Sequence, residues 1–387
     1  MKIKLNDKWT IKTAKELYTY TSGISKGSQF FGTGYPYLTF TEIFHNYFVP
    51  DELTSLVQSN DRERENCSIK RGDVFLTRTS ETDNELGMSC VALKDYPNAT
   101  FNGFTKRLRP LTDDVIPEYA GFYFRSPIFR AAVTSMSSII TRASLNEKML
   151  DKLPVCYPSK KAQQKIASIL SAYDNLIQNY KKQIEALQTA ANELYKEWFV
   201  RFRFPGYQTA KFETGIPKGW KVEKLTKLVE VKYGKDHSKL DVGNIPVYGS
   251  GGIMRYCNKA LYDKETVLIP RKGSLNNIMY ANNPLWTVDT MFYTVMLRKN
   301  IAKYLYYVLS KIDMESFNAG AALPSMTTEI LSHFKIIVPD SEILESFDKK
   351  IALIFTQIDN LQQQITNLTQ QRDLLLPRLM SGKLGVE

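Results

Sequence analysis

The sequence predicts an α+β protein: two globular α/β arms separated by a long antiparallel two-helix coiled coil, with a pseudo-two-fold internal repeat. Three observations predict it. One stretch of sequence recurs with a long period, each copy runs straight into a long helical pattern, and the regions ahead of the copies are rich in Tyr, Phe, Thr and Gly. At 387 residues the chain is too long for one ordinary core. With 43% hydrophobic against 24% charged residues it can bury a sizeable one, which excludes wholesale disorder.

The first arm is assigned to residues 1–158, the first long helix to 159–204, the second arm to 205–340, and the second helix with its tail to 341–387. The repeat sets these limits. Leu145-Asn146-Glu147-Lys148-Met149-Leu150 is matched by Met326-Thr327-Thr328-Glu329-Ile330-Leu331, so that Leu153 falls on Phe334 and Pro158 on Pro339. Beyond the prolines, Ile166-Ala167-Ser168-Ile169 matches Ile351-Ala352-Leu353-Ile354, and Asp174-Asn175-Leu176 matches Asp359-Asn360-Leu361. Upstream, Val74-Phe75-Leu76-Thr77-Arg78 resembles Val267-Leu268-Ile269-Pro270-Arg271, each an apolar strand-like run that ends in arginine. Short β-branched runs and turns such as Gly249-Ser250-Gly251-Gly252 make each arm a curved antiparallel sheet with a few helices, one of them at 301–311.

In the first helix the apolar seam reads Ile166, Ile169, Tyr173, Leu176, Tyr180, Ile184, Leu187, Ala191, Leu194 and Trp198, with a stutter between Tyr180 and Ile184. In the second it reads Leu344, Phe347, Ile351, Ile354, Ile358, Leu361, Ile365 and Leu368, a regular heptad. Pro205-Gly206 and Pro377 should end the two helices. Seams this narrow belong to coiled coils, and at ~1.5 Å per residue each helix spans ~60 Å. The first helix leads from arm one to arm two, so a partner helix starting at arm two must run antiparallel to it.

Lys and Arg number 51 against 40 Asp and Glu, a net charge of +11 that favours a polyanionic partner. No apolar run approaches the ~18 residues of a spanning helix, and the first residues lack the apolar core of a secretory signal. A membrane partner is therefore not expected. Cys67, Cys90, Cys156 and Cys257 are scattered, which suits a reducing cytoplasm. With only His45, His237 and His333 to add, no metal centre is expected.

Catalytic motifs fail on context. Phe30-Phe31-Gly32-Thr33-Gly34 has the F-x-G-x-G spacing of an S-adenosylmethionine loop, yet it runs into Tyr35-Pro36 rather than a helix. Asn283-Pro284-Leu285-Trp286 lacks the second proline of an adenine-gripping box. Glu230-Val231-Lys232 has nuclease-like spacing without a Pro-Asp pair closely upstream, and no Walker A sequence is present. The chain is expected to catalyse nothing by itself.

The doubled arm-plus-helix plan resembles the specificity subunit of type I restriction–modification enzymes. The residues that carry the likeness are Leu153-Pro154 leading to Pro158, Gln163-Gln164-Lys165-Ile166-Ala167-Ser168-Ile169-Leu170-Ser171 and Trp198-Phe199-Val200-Arg201-Phe202. Gly215-Ile216-Pro217-Lys218-Gly219-Trp220 and Leu375-Leu376-Pro377-Arg378-Leu379-Met380-Ser381-Gly382 complete it. The resemblance implies that the arms are target recognition domains, each reading half of a bipartite asymmetric double-stranded DNA target. It also implies that the helices set the spacing and dock two methyltransferase subunits carrying S-adenosylmethionine, with a separate motor–nuclease subunit for cleavage. Two alternatives stay open: a recognition subunit whose single partner fuses methylation and cleavage, and a coiled-coil scaffold whose arms bind protein.

The DNA-contact candidates are the strand-end loops Arg78, Thr79 and Ser80 in arm one, and Arg271, Lys272, Ser274, Asn276 and Asn277 in arm two. Arginine pairs bidentately with guanine, and asparagine with adenine. The bland alternative for each is a solvated turn with a structural salt bridge. Ser250 sits in a glycine turn that either brings backbone amides to a phosphate or is a plain tight turn. Lys106-Arg107, Arg62 and Arg64 read as surface charge, and Trp198 and Phe199 as packing for the helix end.

Overall fold

The computed structural model describes residues 9–80, 85–136, 143–317 and 325–386. The chain divides into two compact units, residues 1–180 with 364–387 and residues 181–363. The first contains β1 (Thr10–Thr13), α1 (Ala14–Leu17), β2 (Tyr18–Ser22), β3 (Phe31–Leu38), α2 (Phe40–His45), β4 (Leu56–Val57), α3 (Asp61–Asn66) and β5 (Val74–Thr77). It continues with β6 (Thr79–Ser80), β7 (Ser89–Val91), β8 (Thr100–Phe101), β9 (Thr105–Pro110), α4 (Pro117–Tyr123), α5 (Pro127–Met136), β10 (Ala143–Ser144), α6 (Glu147–Leu150) and β11 (Pro154–Tyr157). The long helix α7 (Lys160–Tyr195) starts here and ends in the second unit with a π-helical turn, Lys196–Val200.

The second unit then builds β12 (Phe212–Glu213), β13 (Ile216–Pro217), β14 (Lys221–Lys224), β15 (Val229–Tyr233), β16 (Ile245–Gly249), β17 (Gly252–Cys257) and β18 (Thr266–Pro270). After β19 (Met279–Ala281), β20 (Trp286–Thr287) and β21 (Met291–Met296) come α8 (Ala302–Leu309), α9 (Thr328–Ser332), β22 (Lys335–Val338) and the second long helix, α10 (Ser341–Met380).

The internal repeat is a repeat of topology. Each arm has a four-stranded antiparallel sheet, in the order β2-β9-β5-β7 in the first and β15-β21-β18-β19 in the second. Each also has a three-stranded sheet, β4-β3-β8 and β17-β16-β20, whose second pairing is parallel in both arms. That parallel pair departs from the all-antiparallel sheet the sequence suggested. β1 pairs with β11 through Thr13↔Pro154, and β14 pairs with β22 through Lys224↔Lys335. Even single bonds recur: Ala14 donates to the Leu153 carbonyl at 2.8 Å, and Leu225 to the Phe334 carbonyl at 2.9 Å. The aligned residues Asn146 and Thr327 both cap short helices, accepting from Met149 and Ile330.

β5 and β18 are buried along their whole length. That is why both read as unbroken apolar runs rather than alternating ones.

The start of α7 and the end of α10 share a core in the first unit, where Ile166, Ala167 and Leu170 meet Leu376, Leu379 and Met380. In the second unit Ala191, Tyr195, Trp198 and Phe199 meet Leu344, Phe347 and Ile351 at the opposite helix ends. The two helices are thus antiparallel.

Two sequence expectations need correction. The buried line of α7 passes through Leu170 and Ile177, while Ile169 and Leu176 are each 37% exposed. The seam Ile166, Leu170, Tyr173, Ile177, Tyr180, Ile184, Leu187 and Ala191 is therefore an unbroken heptad, with no stutter. Both lines are apolar in the sequence, and only burial tells them apart. Pro377 does not end α10 either; it lies inside the last turns. The lost N–H bond and ring clash cost about 3 kcal/mol. Burial of Leu376, Leu379 and Met380, at about 1.5–3 kcal/mol per side chain, more than offsets that.

All four cysteines are free and buried. Burial pushes the Cys90 thiol up to about 12, so it stays protonated and unreactive. No described helix is long and apolar enough to cross a membrane.

Candidate nucleic-acid interface

The two arginine-bearing strand ends occupy the same place in the two arms. Arg78 donates its backbone N–H to the Phe104 carbonyl at 2.9 Å, and its own carbonyl accepts from Leu145 at 2.9 Å. Arg271 donates to Thr290 and accepts from Met326, each at 2.8 Å. Both backbones are clamped from both sides at the end of a fully buried strand, so the side chain is launched from a rigid point.

In the second arm the Arg271 guanidinium lies 5.3 Å from the centroid of the Tyr233 ring. One of its N–H groups donates to the Asp289 carbonyl at 3.2 Å. Tyr233 is itself 50% exposed at the end of β15. The arginine is therefore held in place with no carboxylate paired to it among the described residues, and Lys272 and Ser274 beside it are exposed.

The glycine turn 249–252 packs on the loop after Arg271. Asn277 donates to the Ser250 carbonyl at 2.8 Å, and a Cβ on Gly273 would come within 2.7 Å of the Ser250 hydroxyl oxygen. Gly273 also has φ +83°, a second reason for glycine there. The structure thus unites Ser250, Gly273 and Asn277.

Asn276 is directed elsewhere. Its amide oxygen accepts from Met314 at 2.7 Å and its NH₂ donates to Asp313 at 3.1 Å. Both asparagines proposed as adenine readers thus brace the loop, Asn277 through one N–H and the still-exposed Asn276 through its oxygen and its NH₂, beside Arg271, Lys272 and Ser274. Among the first-arm candidates, Arg78 is half-buried; of Thr79 and Ser80 only the backbone is described, paired with Ser144 and Ala143.

Sequence reading missed the aromatic component. Phe104, whose carbonyl holds Arg78, is 61% exposed on the turn before β9. Elsewhere in that arm Phe30, Phe31 and Tyr35 are each 38–39% exposed, with Lys26 5.3 Å from the Phe30 ring and Arg64 3.8 Å from the Tyr35 ring. Exposed rings can stack on bases, while the cations beside Phe30 and Tyr35 are paired within the protein, Lys26 with Glu63 and Arg64 with Asp61. The signal was present in Asn102-Gly103-Phe104, a turn tipped by a large apolar ring.

Lys106 and Arg107 correct the surface-charge reading: they are only 9% and 5% exposed. They lie in β9, inside the four-stranded sheet. Lys106 pairs with Glu147 at 2.8 Å, and Arg107 donates to the Ser68 carbonyl at 2.7 Å and to Thr21 at 3.1 Å. Arg64 is likewise drawn in, pairing with Asp61 and the Ser59 carbonyl, whereas Arg62 is exposed. Trp198 and Phe199 are buried, with Phe199 4.7 Å from the Tyr304 ring and 4.8 Å from that of Phe347.

The rejected motifs have structural explanations. Gly32 and Gly34 lie within β3 at φ +93° and +106°, not at a strand–helix junction. Trp286 is buried and donates its indole N–H to the Lys235 carbonyl at 2.9 Å. Glu230 and Lys232 pair with each other on β15. Among the described residues no group of three or more His, Cys, Asp or Glu is placed to hold a metal ion.

A family model described as the type I restriction modification DNA specificity domain matches residues 6–189 and again 217–374. The MjaIX type I restriction enzyme specificity subunit of Methanocaldococcus jannaschii is 26% identical over 430 aligned positions, covering 99% of this chain and 95% of its own length. The HindI specificity subunit of Haemophilus influenzae is 20% identical, over 90% of this chain and 95% of its own. The solved S subunit of a type I restriction–modification system from M. genitalium has the same fold, with a TM-score of 0.61 at 17% identity, over 97% of this chain and 96% of that one. With one arm plan built twice and a family match over each copy, the chain belongs to the family of type I restriction–modification DNA specificity proteins.

Proposed function

We propose that this chain is the DNA sequence-recognition subunit of a type I restriction–modification enzyme, each arm reading one half of a bipartite asymmetric target. One observation carries the reading. The two arms share a strand order yet present different groups at the same strand end: Arg78 with Phe104 in one, Arg271 with Tyr233 and Thr290 in the other. Two copies of one scaffold with unlike tips suit two unlike half-sites, whereas an exact two-fold pair would read a palindrome.

In this reading the helices set the half-site separation and dock two copies of a methyltransferase subunit. S-adenosylmethionine sits on that partner, a motor–nuclease subunit joins for cleavage, and the work is done in the cytoplasm. The chain chooses the sequence and its partners supply the chemistry.

The test is to purify the chain and the methyltransferase encoded beside it, then assay each alone and both together. The chain alone should transfer no methyl group but should confer sequence choice on the mixture. Its DNA affinity should fall linearly with log salt as phosphate counterions are released. Methyl transfer by the chain alone would refute the assignment, and salt-independent or absent DNA binding would favour a scaffold. A single partner that both methylates and cleaves would identify the fused system.

A further inference from the structure

In the second unit a groove of ≈1190 Å³ opens between the β16–β17 hairpin, the β19–β20 connection and the two long helices. Its volume exceeds the ~300–1,000 Å³ of ordinary small-ligand clefts, which suits a segment of polypeptide. Tyr248, Tyr256, Tyr280 and Phe355 line it, with amides such as Asn192 and Asn283. Asp359 is the only carboxylate among the lining residues. The residue is exposed to solvent, no hydrogen bond or ion pair from a described residue reaches its carboxylate, and partial desolvation raises its pKa above the usual carboxylate value. Its charge is felt by Tyr248 and Tyr280.

The internal repeat shows what such a carboxylate takes. Asp174 is the aligned residue in the first unit, and there Arg372 from the other helix binds it at 2.6 Å while lying 5.4 Å from the Tyr47 ring. The register that places Asp174 on Asp359 places Leu187 at the position of Arg372. The second copy has kept the acceptor and lost the donor.

Nothing described within the unit replaces it. Arg201 and Arg203 pair with Glu197, Arg255 donates to the His237 and Leu240 carbonyls, Arg271 lies on Tyr233, and Arg298 binds Glu223. Lys311 lines the groove without pairing with Asp359. The segment 318–324, outside the described residues, contains no Lys or Arg.

We infer that this groove is a docking site for an arginine presented by another polypeptide, which binds Asp359 and stacks among the groove tyrosines. Arginine fits better than lysine because its planar fork matches a carboxylate and its face stacks on an aromatic ring. DNA is disfavoured, since Asp359 and Lys311 leave the groove no net positive charge with which to hold phosphates.

The test uses the full chain labelled with 3-fluorotyrosine and read by fluorine NMR, with Tyr248→Phe and Tyr280→Phe assigning the signals. Nα-acetyl-arginine-amide should shift both signals saturably. The lysine analogue should shift them several-fold less, and the uncharged citrulline analogue should not shift them. Asp359→Asn, which breaks no described bond, should abolish the response. Equal shifts with citrulline, or an unchanged response in Asp359→Asn, would overturn the proposal.

A second arm rests on the restriction–modification reading: Asp359→Arg should lower assembly with the methyltransferase subunit at least tenfold while leaving DNA binding by the chain unchanged. Full assembly by that variant would overturn the assignment to a partner chain. Self-association of the wild-type chain that disappears in Asp359→Arg would replace that partner with a second copy. Failure of the wild-type chain to bind any methyltransferase would instead count against the proposed function, and the NMR response would still stand or fall alone.

Discussion

Arg271→Ala should relax one half-site and leave the other unchanged. The side chain is exposed enough to reach a base, and Tyr233 and the Asp289 carbonyl hold it in place. A bidentate contact to guanine contributes about 1–3 kcal/mol, so at 1.4 kcal/mol per tenfold the affinity for the specific site should fall roughly 5- to 150-fold. Tyr233→Leu tests the preorganisation. A cation–π contact at an exposed site contributes about 0.5–1 kcal/mol, so that change should weaken binding only roughly two- to fivefold. The assay is equilibrium binding to duplexes with the left, right or both half-sites scrambled, at several salt concentrations. For a base contact, Arg271→Ala should lose discrimination at one position with the salt slope nearly kept. A uniform loss on all duplexes with the slope reduced by about one would make Arg271 a phosphate contact. Unchanged affinity on every duplex would refute a DNA role for it.

Other outcomes follow from the same structure. Phe199→Ala should destabilise the second unit by about 3–5 kcal/mol, measured by urea unfolding, because the ring is buried against Tyr304 and Phe347. Arg372→Ala should cost about 2–4 kcal/mol in the first unit, less than a fully buried pair would, since Arg372 and Asp174 keep 16% and 22% of their side-chain surface exposed. Hydrogen bonds from Lys106, Lys12 and Lys26 hold Glu147, Asp114 and Glu63 below their ordinary values. Their contribution is present above the ordinary carboxylate range near ~4 and is lost as pH falls through the depressed folded values, so Tm should decline on acidification, and less so in Lys106→Met. Inserting one heptad after Gln178 and another after Leu368 preserves both seams and adds ~10 Å, so the recognised gap should widen by at most roughly three base pairs with both half-site sequences unchanged. A four-residue insertion would break the unbroken α7 heptad, and full activity of the heptad variant on the original spacing would show that the helices do not set it.

The repeat, the two long helices and their direction were legible in the sequence because they depend on local periodicity and chain order. A heptad followed by an arm and a second heptad leaves an intramolecular pair only the antiparallel arrangement. The buried strands β5 and β18 were legible for the same reason: burial on both faces writes a continuous apolar run.

Tertiary structure decided the rest. Between Ile169 and Leu170, or Leu176 and Ile177, hydrophobicity is nearly equal, and only the partner helix selects the buried line. Pro377 stays helical because Leu379 and Met380 beyond it are buried, a gain no local propensity records. Lys106 and Arg107 look like surface charge until the sheet encloses them, Lys106 binding Glu147 and Arg107 binding Thr21 and the Ser68 carbonyl. The bonds that Asn276 and Asn277 make to brace their loop and the ring beneath Arg271 arise from contacts between residues far apart in the chain. Such contacts depend on how the chain closes on itself, and no local pattern in the sequence encodes them.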